Sequence, residues 1–290
     1  MRVLLRAGLT LLGHLPLALL HAVGAAAGWL LWAVPNRARY VTLLHVERCL
    51  GLTGAERDLV ARQSLLHFGR AALEAPAVWF GSRSRLLRWI DDGVARTQLQ
   101  SLARERGLIL LGPHLGSWEL AGMFCAASVP LTSLYKPQPG VMDDLILQGR
   151  ARLGARLAPS TTGGVKTLLE ALRRRETIGI LPDQDPPAGS GVFAPLFGIS
   201  AHTTELVSKL AARTGAPVWF CWGERLPRGA GFRIHLREAP ADITDPHHGP
   251  AALNRGIESV VREMPEQYWW GYRRYRRRPQ GESRLYEKGR

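Results

Sequence analysis

The sequence predicts an α/β fold: a single domain with a mostly parallel central sheet flanked by helices, preceded by an N-terminal membrane helix. Three observations carry that prediction. Short apolar runs such as 108–111, ended by Gly112-Pro113, alternate with stretches of helical spacing, the pattern of parallel strands joined by helical crossovers. The 290 residues are 46% apolar and 21% charged, enough for a large core and unlike a disordered chain. Residues 7–36 contain no Asp, Glu, Lys or Arg.

That charge-free stretch exceeds the roughly 20 residues a helix needs to cross a bilayer. Pro16 divides it, so the cleanest span is 17–34, with Trp29 and Trp32 toward one interface. A cleaved signal peptide competes, because Arg2 and Arg6 supply a positive start. The apolar part is long for such a peptide, and Trp-Leu-Leu-Trp-Ala-Val-Pro makes a poor cleavage site. A buried hydrophobic helix pair is the third option. Arginines before the span (Arg2, Arg6) and after it (Arg37, Arg39, Arg48) lean the body slightly toward the cytoplasm. The expected organisation is an anchor over 1–38, an α/β domain over 39–278 and a basic tail over 279–290.

Residues 40–106 read as helices, chiefly 56–79 and 83–89. A strand is expected at 108–111, a helix at 118–127, a helix at 164–175 and a strand at 177–181. A helix at 203–214, opened by Thr203 and Thr204 as caps, precedes strands at 217–222 and 231–237 and a helix at 254–264. The active site of such a sheet lies at the carboxyl ends of its strands. There are no internal repeats and no long linker.

Charge narrows the partners. With 38 Lys+Arg against 24 Asp+Glu the formal charge is +14, which calls for nucleic acid, an acidic lipid surface or an acidic protein. Four of the 38 are lysines; the arginine excess favours bidentate contacts to phosphate or carboxylate, although a GC-rich genome also produces it. Cys49, Cys125 and Cys221 lie far apart without CxxC spacing, so neither a disulfide framework nor a zinc knuckle is expected, and a reducing compartment is.

The chemistry concentrates at the end of the 108–111 strand, in His114-Leu-Gly-Ser-Trp-Glu119. On one continuous helix, positions five apart diverge by about 140°. With His114 on the strand-to-helix turn, Ser117 at the cap and Glu119 in the first turn, the imidazole can fold back on the carboxylate as a dyad. Glu119 would hold one ring proton, and the other nitrogen would take a proton from an alcohol. The blander reading is a histidine capping the turn, with Glu119 complementing the helix dipole. Asp183-Gln184-Asp185 follows a strand and precedes prolines, and reads equally as a terminating turn or as site lining. No G-x-S-x-G elbow, Cys-His pair or HExxH is present; no metal is expected, and His247-His248 reads as surface loop. Trp219, Trp222, Trp269 and Trp270 read as core or interface belt.

In order along the chain, several blocks resemble the lipid A biosynthesis acyltransferases, the lauroyl and myristoyl transferases of lipopolysaccharide assembly. They are the Leu15-Pro16-Leu17 and Gly28-Trp29 region, HLGSWE, Tyr135-Lys136-Pro137 (Lys136 replacing the usual Arg), 181–198 with 201–204, and 265–279. One departure is His45-Val-Glu-Arg-Cys-Leu-Gly51, where members often begin with Asn. The resemblance implies a glycerol-phosphate-acyltransferase-like fold and transfer of a fatty acyl chain from acyl-acyl carrier protein. The acceptor would be a hydroxyl of a Kdo-bearing, anionic lipid A precursor at the cytoplasmic face of the inner membrane. It implies no covalent acyl-enzyme, no cofactor beyond the acyl carrier co-substrate, and no nucleic acid partner. His114 would be the general base, oriented by Glu119. Oxyanion donors would come from the amides around Gly116 and Ser117 and from Arg150, with Arg152 and Arg156 nearly as plausible. Tyr135, Lys136, Asp183 and Gln184 would line the substrate site.

Two further readings stay open: acylation of another lipid, such as a glycerophospholipid or ornithine lipid, and a non-catalytic basic membrane-surface protein that binds nucleic acid or phospholipid. The tail over 271–290 carries seven arginines and one lysine against Glu282 and Glu287, interleaved with Tyr272, Tyr275 and Tyr286. Beside an anchor it is expected to meet anionic head groups, at about 1 kcal/mol per basic residue.

Overall fold

The computed structural model describes residues 2–286. In chain order the helices are α1 (Arg2–His14), α2 (Leu17–Ala33), α3 (Arg37–Leu50), α4 (Gly54–Phe80), α5 (Arg83–Arg88), α6 (Ala95–Arg106), α7 (Trp118–Ser128), α8 (Val141–Ala151), α9 (Thr162–Arg173), α10 (Leu206–Thr214) and α11 (Gly249–Val261). The strands are β1 (Ile90–Asp91), β2 (Leu108–Leu111), β3 (Leu131–Tyr135), β4 (Arg156–Pro159), β5 (Thr177–Ile180), β6 (Gly191–Leu196), β7 (Ile199–Thr204), β8 (Val218–Arg225) and β9 (Phe232–Glu238).

Seven strands form one sheet in the order β1-β9-β8-β2-β5-β3-β4. Every neighbouring pair is parallel except β8 and β9, so the mostly parallel α/β domain is present. The central strand β2 is buried at all four residues, as a strand covered on both faces must be. Its side chains alternate between two cores. Ile109 and Leu111 join Leu168, Leu210, Leu253 and Ile257 on one face; Leu108 and Leu110 join Leu86, Leu99 and Phe124 on the other.

Several elements differ from the sequence reading. Strands β3 and β4 and helix α8 fill a stretch to which the sequence assigned no element. Thr203 and Thr204 end β7, and α10 begins only at Leu206. β6 and β7 form a separate antiparallel hairpin, in which the chain doubles back before re-entering the sheet.

The N-terminus departs from a straight membrane span. No single helix among the described residues is long and apolar enough to cross a membrane; the pair Gly8–His14 and Leu17–Ala33 passes that test together but is bent by 118°. The break is at Pro16, which cannot continue the helical hydrogen-bond ladder. One face of α2 is packed along α4, where glycines let the backbones meet. A Cβ on Gly28 would lie 2.3 Å from the Leu65 carbonyl oxygen, and one on Gly69 2.0 Å from that of Gly24. Leu19, Val23, Trp29 and Leu30 are left exposed on α2, with Val34 just beyond it.

The arginines just before the 279–290 tail are drawn into the fold. Arg274 is buried and donates to the His202 carbonyl. Arg276 and Arg277 both pair with Asp185, and Arg278 donates to the Ser200 carbonyl. Tyr275 and Tyr286 are buried. These arginines are engaged by the fold, although Arg276 stays half exposed; Lys288 and Arg290 lie outside the described residues. Tyr286 donates to Nε2 of His45, whose Nδ1 faces the Trp270 carbonyl. The histidine standing in place of the family's usual Asn therefore bolts the tail to α3, and burial pushes its pKa down to about 4.

Candidate active site

The site is built where β2 and β5 end. Leu111 pairs with Ile180 in parallel register, so His114 and Asp183, each three residues further on, emerge side by side. The Asp183 carboxylate takes the backbone N–H of His114 on Oδ2 and the ring Nδ1–H on Oδ1, both at 2.8 Å. With Nδ1 protonated toward a carboxylate, Nε2 keeps its lone pair, and it receives the Gln184 amide at 3.2 Å. Burial alone would raise the Asp183 pKa. The facing His114 charge, its ring bond and two backbone N–H groups outweigh burial and hold the carboxyl below its ordinary value.

The expected dyad is therefore replaced: the carboxylate on the His114 ring belongs to Asp183, not Glu119. Glu119 does open α7, but its oxygens accept from the Trp79 indole at 2.9 Å and from Arg150, whose Nε lies at 2.9 Å and whose Nη2 bonds the second oxygen. Burial would raise this carboxyl too, and the charge and bonds of Arg150 lead the effects that depress it. Packing explains the pairing. A Cβ on Gly149 would fall 2.4 Å from that of Trp79, so α8 rests directly on α4 and delivers Arg150 to Glu119.

Of the three candidate arginines, Arg150 alone reaches this carboxylate. Arg152 caps the Val78 carbonyl and Arg156 pairs with Glu176. The amides of the two proposed oxyanion residues are taken: Gly116 N–H donates to the Gln267 carbonyl at 3.0 Å and Ser117 N–H to that of Gly223 at 2.7 Å. Ser117 makes no side-chain cap, and its buried hydroxyl has no partner among the described residues. Gly116 is irreplaceable for another reason. At φ +59° a Cβ would sit 2.0 Å from the Gly223 carbonyl oxygen, so any other residue opens the turn.

Tyr135 and Lys136 lie at the carboxyl end of β3, two strands from β2, which is roughly 10 Å away at ordinary strand spacing. Neither side chain bonds His114, Glu119 or Asp183 among the described residues.

What the sequence reading passed over is the surroundings of the histidine. The His114 ring lies 5.1 Å from Trp118 and 5.3 Å from Trp269, and Phe68 stacks on Trp269 at 5.3 Å. Aromatic walls exclude water and leave Nε2 in a low-dielectric slot. The turn itself is stitched from behind. Arg225, buried, donates to the Gly116 carbonyl at 2.8 Å and to both oxygens of the buried Glu74, which also receives His21. Burial works against the Glu74 carboxylate, but Arg225 and His21 pull its pKa down to about 2. Trp118 stands inside HLGSWE and was legible there; Arg225 and Glu74 carry no local signal. No group of three His, Cys, Asp or Glu among the described residues is placed to hold a metal ion.

The chain matches the family model described as bacterial lipid A biosynthesis acyltransferase over residues 2–277. It is 28% identical over 280 residues to the lipid A biosynthesis palmitoleoyltransferase of Escherichia coli K12, covering 94% of this chain and 90% of the relative. Against the lipid A biosynthesis lauroyltransferase of the same strain the identity is 27% over 278 residues, with the same coverage. A phosphatidylinositol mannoside acyltransferase of Mycolicibacterium smegmatis is 29% identical over 269 residues, covering 81% of this chain and 86% of that one.

Proposed function

Because the chain belongs to the bacterial lipid A biosynthesis acyltransferase family and is an acyltransferase, we propose that it moves a fatty acyl chain from acyl-acyl carrier protein to a hydroxyl of a phosphorylated, Kdo-bearing lipid A precursor. The observation that carries the mechanism is the His114 ring, with Nδ1 held by Asp183 and Nε2 left as acceptor at the carboxyl edge of the sheet.

The acceptor hydroxyl takes the place of the Gln184 amide on Nε2. As its oxygen attacks the thioester carbonyl carbon, its proton passes to Nε2, and Asp183 stabilises the imidazolium. The tetrahedral oxyanion then collapses, the carbon–sulfur bond breaks, and the carrier thiolate takes the proton back from His114. No enzyme nucleophile is needed. Arg150 supplies positive charge for the oxyanion through Nη1, which makes no bond among the described residues while Nε and Nη2 stay on Glu119. Glu119 acts by aiming Arg150. The exposed apolar side of α2 supports a seat at the inner membrane surface, and the net charge of +14 supports an acidic carrier as donor.

The test uses purified full-length chain, carrier protein loaded with a radiolabelled acyl chain, and three acceptors: the lipid A precursor, a phosphatidylinositol mannoside and a glycerophospholipid. Label moving to the precursor supports the reading. Transfer only to either other lipid replaces the acceptor, and label trapped on the protein after acid quench refutes direct transfer.

A further inference from the structure

Behind the catalytic turn lies a cavity of about 530 Å³ that the mechanism above does not use. Its walls are Ala18, His21, Ala22 and Ala25 of α2, His67 and Arg70 of α4, residues 224–229, and Glu266 with Gln267. It opens at the same carboxyl edge as His114 and shares Arg225 and Gln267 with the scaffold that holds Gly116.

The charges in this cavity are unevenly answered. Arg225 is saturated by Glu74 and the Gly116 carbonyl. Glu224 accepts from His235 and lies 3.9 Å from Arg233. Arg70 and Arg228 pair with no carboxylate among the described residues, and Glu266 lines the same cavity.

His67 sharpens the imbalance. Its Nδ1 lies 3.3 Å from Nη1 of Arg225 and its Nε2 3.1 Å from Nη1 of Arg70. Burial and the two guanidinium charges push its pKa down to about 2, so the ring is neutral and offers one lone pair to two donors. With Arg225 already held by Glu74 and Gly116, Arg70 is the guanidinium whose remaining N–H groups face the cavity.

The opposite wall is held rigidly. Arg228 is a non-glycine residue at φ 57°, a strained conformation that surrounding structure must impose. The neighbouring Gly229 approaches α2 so closely that a Cβ would lie 2.6 Å from the Ala18 Cα. Two guanidinium groups lining one concavity, Arg70 half-buried and Arg228 exposed at its rim, suit the oxygens of a phosphoryl group, and Glu266 suits a sugar hydroxyl beside it. On α2 the lining alanines Ala18 and Ala22 run beside the exposed Leu19 and Val23, a helical row spacing that places an apolar track next to the charged cavity.

We propose that this cavity seats a phosphoryl group of the acceptor lipid, gripped by Arg70 and Arg228, with the lipid's hydrocarbon laid along the exposed side of α2. The assignment rests on reading the acceptor as a phosphorylated lipid.

The test compares wild type, Arg228→Gln, Arg70→Gln and, as control, Arg104→Gln, each as the full chain in detergent. With the phosphorylated precursor, Arg228→Gln raises the acceptor KM about tenfold, in line with loss of one charge-assisted contact, and leaves kcat and the donor KM unchanged. With the same lipid stripped of phosphate, wild type and Arg228→Gln have equal KM. Equal penalties on both lipids overturn the phosphoryl assignment. Should wild type acylate neither lipid, the acceptor reading fails by itself, and the cavity is judged by co-sedimentation with phosphatidylcholine vesicles containing phosphatidic acid. Weaker binding by Arg228→Gln and Arg70→Gln than by Arg104→Gln supports the site, and equal binding overturns it. Inorganic phosphate that displaces the vesicles at equal phosphate concentration rejects a lipid in favour of a free anion.

Discussion

Two histidine–aspartate pairs draw their carboxylates from one short segment of this molecule, Asp183 and Asp185. His114 meets Asp183 at 2.8 Å and His202 meets Asp185 at 2.9 Å, each through Nδ1, and all four residues are buried. Their surroundings differ. Among the described residues Asp183 pairs with no other cation, so its charge is undivided toward His114. Asp185 is bracketed by Arg276 and Arg277, and Arg277 comes within 3.3 Å of the His202 Nδ1 itself. The carboxylate faces one histidine in the first place and is shared with two guanidinium groups in the second. Where one carboxylate serves one histidine the pair suits the base proposed above, and where it serves two arginines as well it is a brace.

Substitutions can break this comparison, and the largest effect is expected at the base. His114→Ala should lower kcat/KM about 1,000-fold, within the span of general-base catalysis, while the chain stays folded at a cost of about 1–2 kcal/mol for the lost buried hydrogen bond. Near-normal turnover would end the assignment. Asp183→Asn should cost about 100-fold in kcat, because the Nδ1 proton loses its charged acceptor. Glu119→Gln, which acts through Arg150, should cost less; a Glu119 loss exceeding that of Asp183 would restore the sequence-based dyad. His202→Gln should leave activity within about threefold and lower stability by about 1–2 kcal/mol, the cost of one buried hydrogen bond. A large kcat loss there would erase the distinction between the two pairs.

The smallest effect on activity concerns a group that acts only on stability, through pH. His45 is held neutral at a folded pKa of about 4 against an ordinary 6.5, so the unfolded chain takes up the proton first. Its contribution is complete above pH 6.5 and drains as pH falls toward about 4, by on the order of 1 kcal/mol per pH unit. His45→Asn should flatten the dependence of the urea midpoint between those limits, and an unchanged slope would assign the acid sensitivity to other groups.

Much of the site was legible because strand ends announce themselves. Leu-Leu-Gly-Pro-His114 and Ile-Leu-Pro-Asp183 both read as an apolar run, a proline and a polar residue. What the residues could not show is that these two ends are neighbours, since the parallel β2–β5 pairing joins positions 69 residues apart. The dyad with Glu119 was the nearest local solution, and a distant carboxylate took its place. Strands β3 and β4 escaped for a related reason: Leu-Thr-Ser-Leu-Tyr and Arg-Leu-Ala-Pro are short and mixed, and acquire strand character from the neighbours they pair with.

The net charge taught a similar lesson. Arg106, Arg173 and Arg213 sit in the last turns of α6, α9 and α10, where positive charge meets the helix dipole. Arg150, Arg225, Arg276 and Arg277 are spent on buried carboxylates. A total of +14 therefore does not describe one basic surface.

By itself the sequence determined the α/β class, the central apolar strands and the position of the histidine, because periodicity and strand-ending prolines are local properties of the chain. Tertiary structure alone decided which carboxylate serves His114, which arginine reaches Glu119, that α2 lies along α4 instead of running straight on from α1, and that the basic tail is a brace. Each of those depends on which distant groups pay the least desolvation by meeting, and a buried charge finds its partner through the folded backbone, not along the sequence.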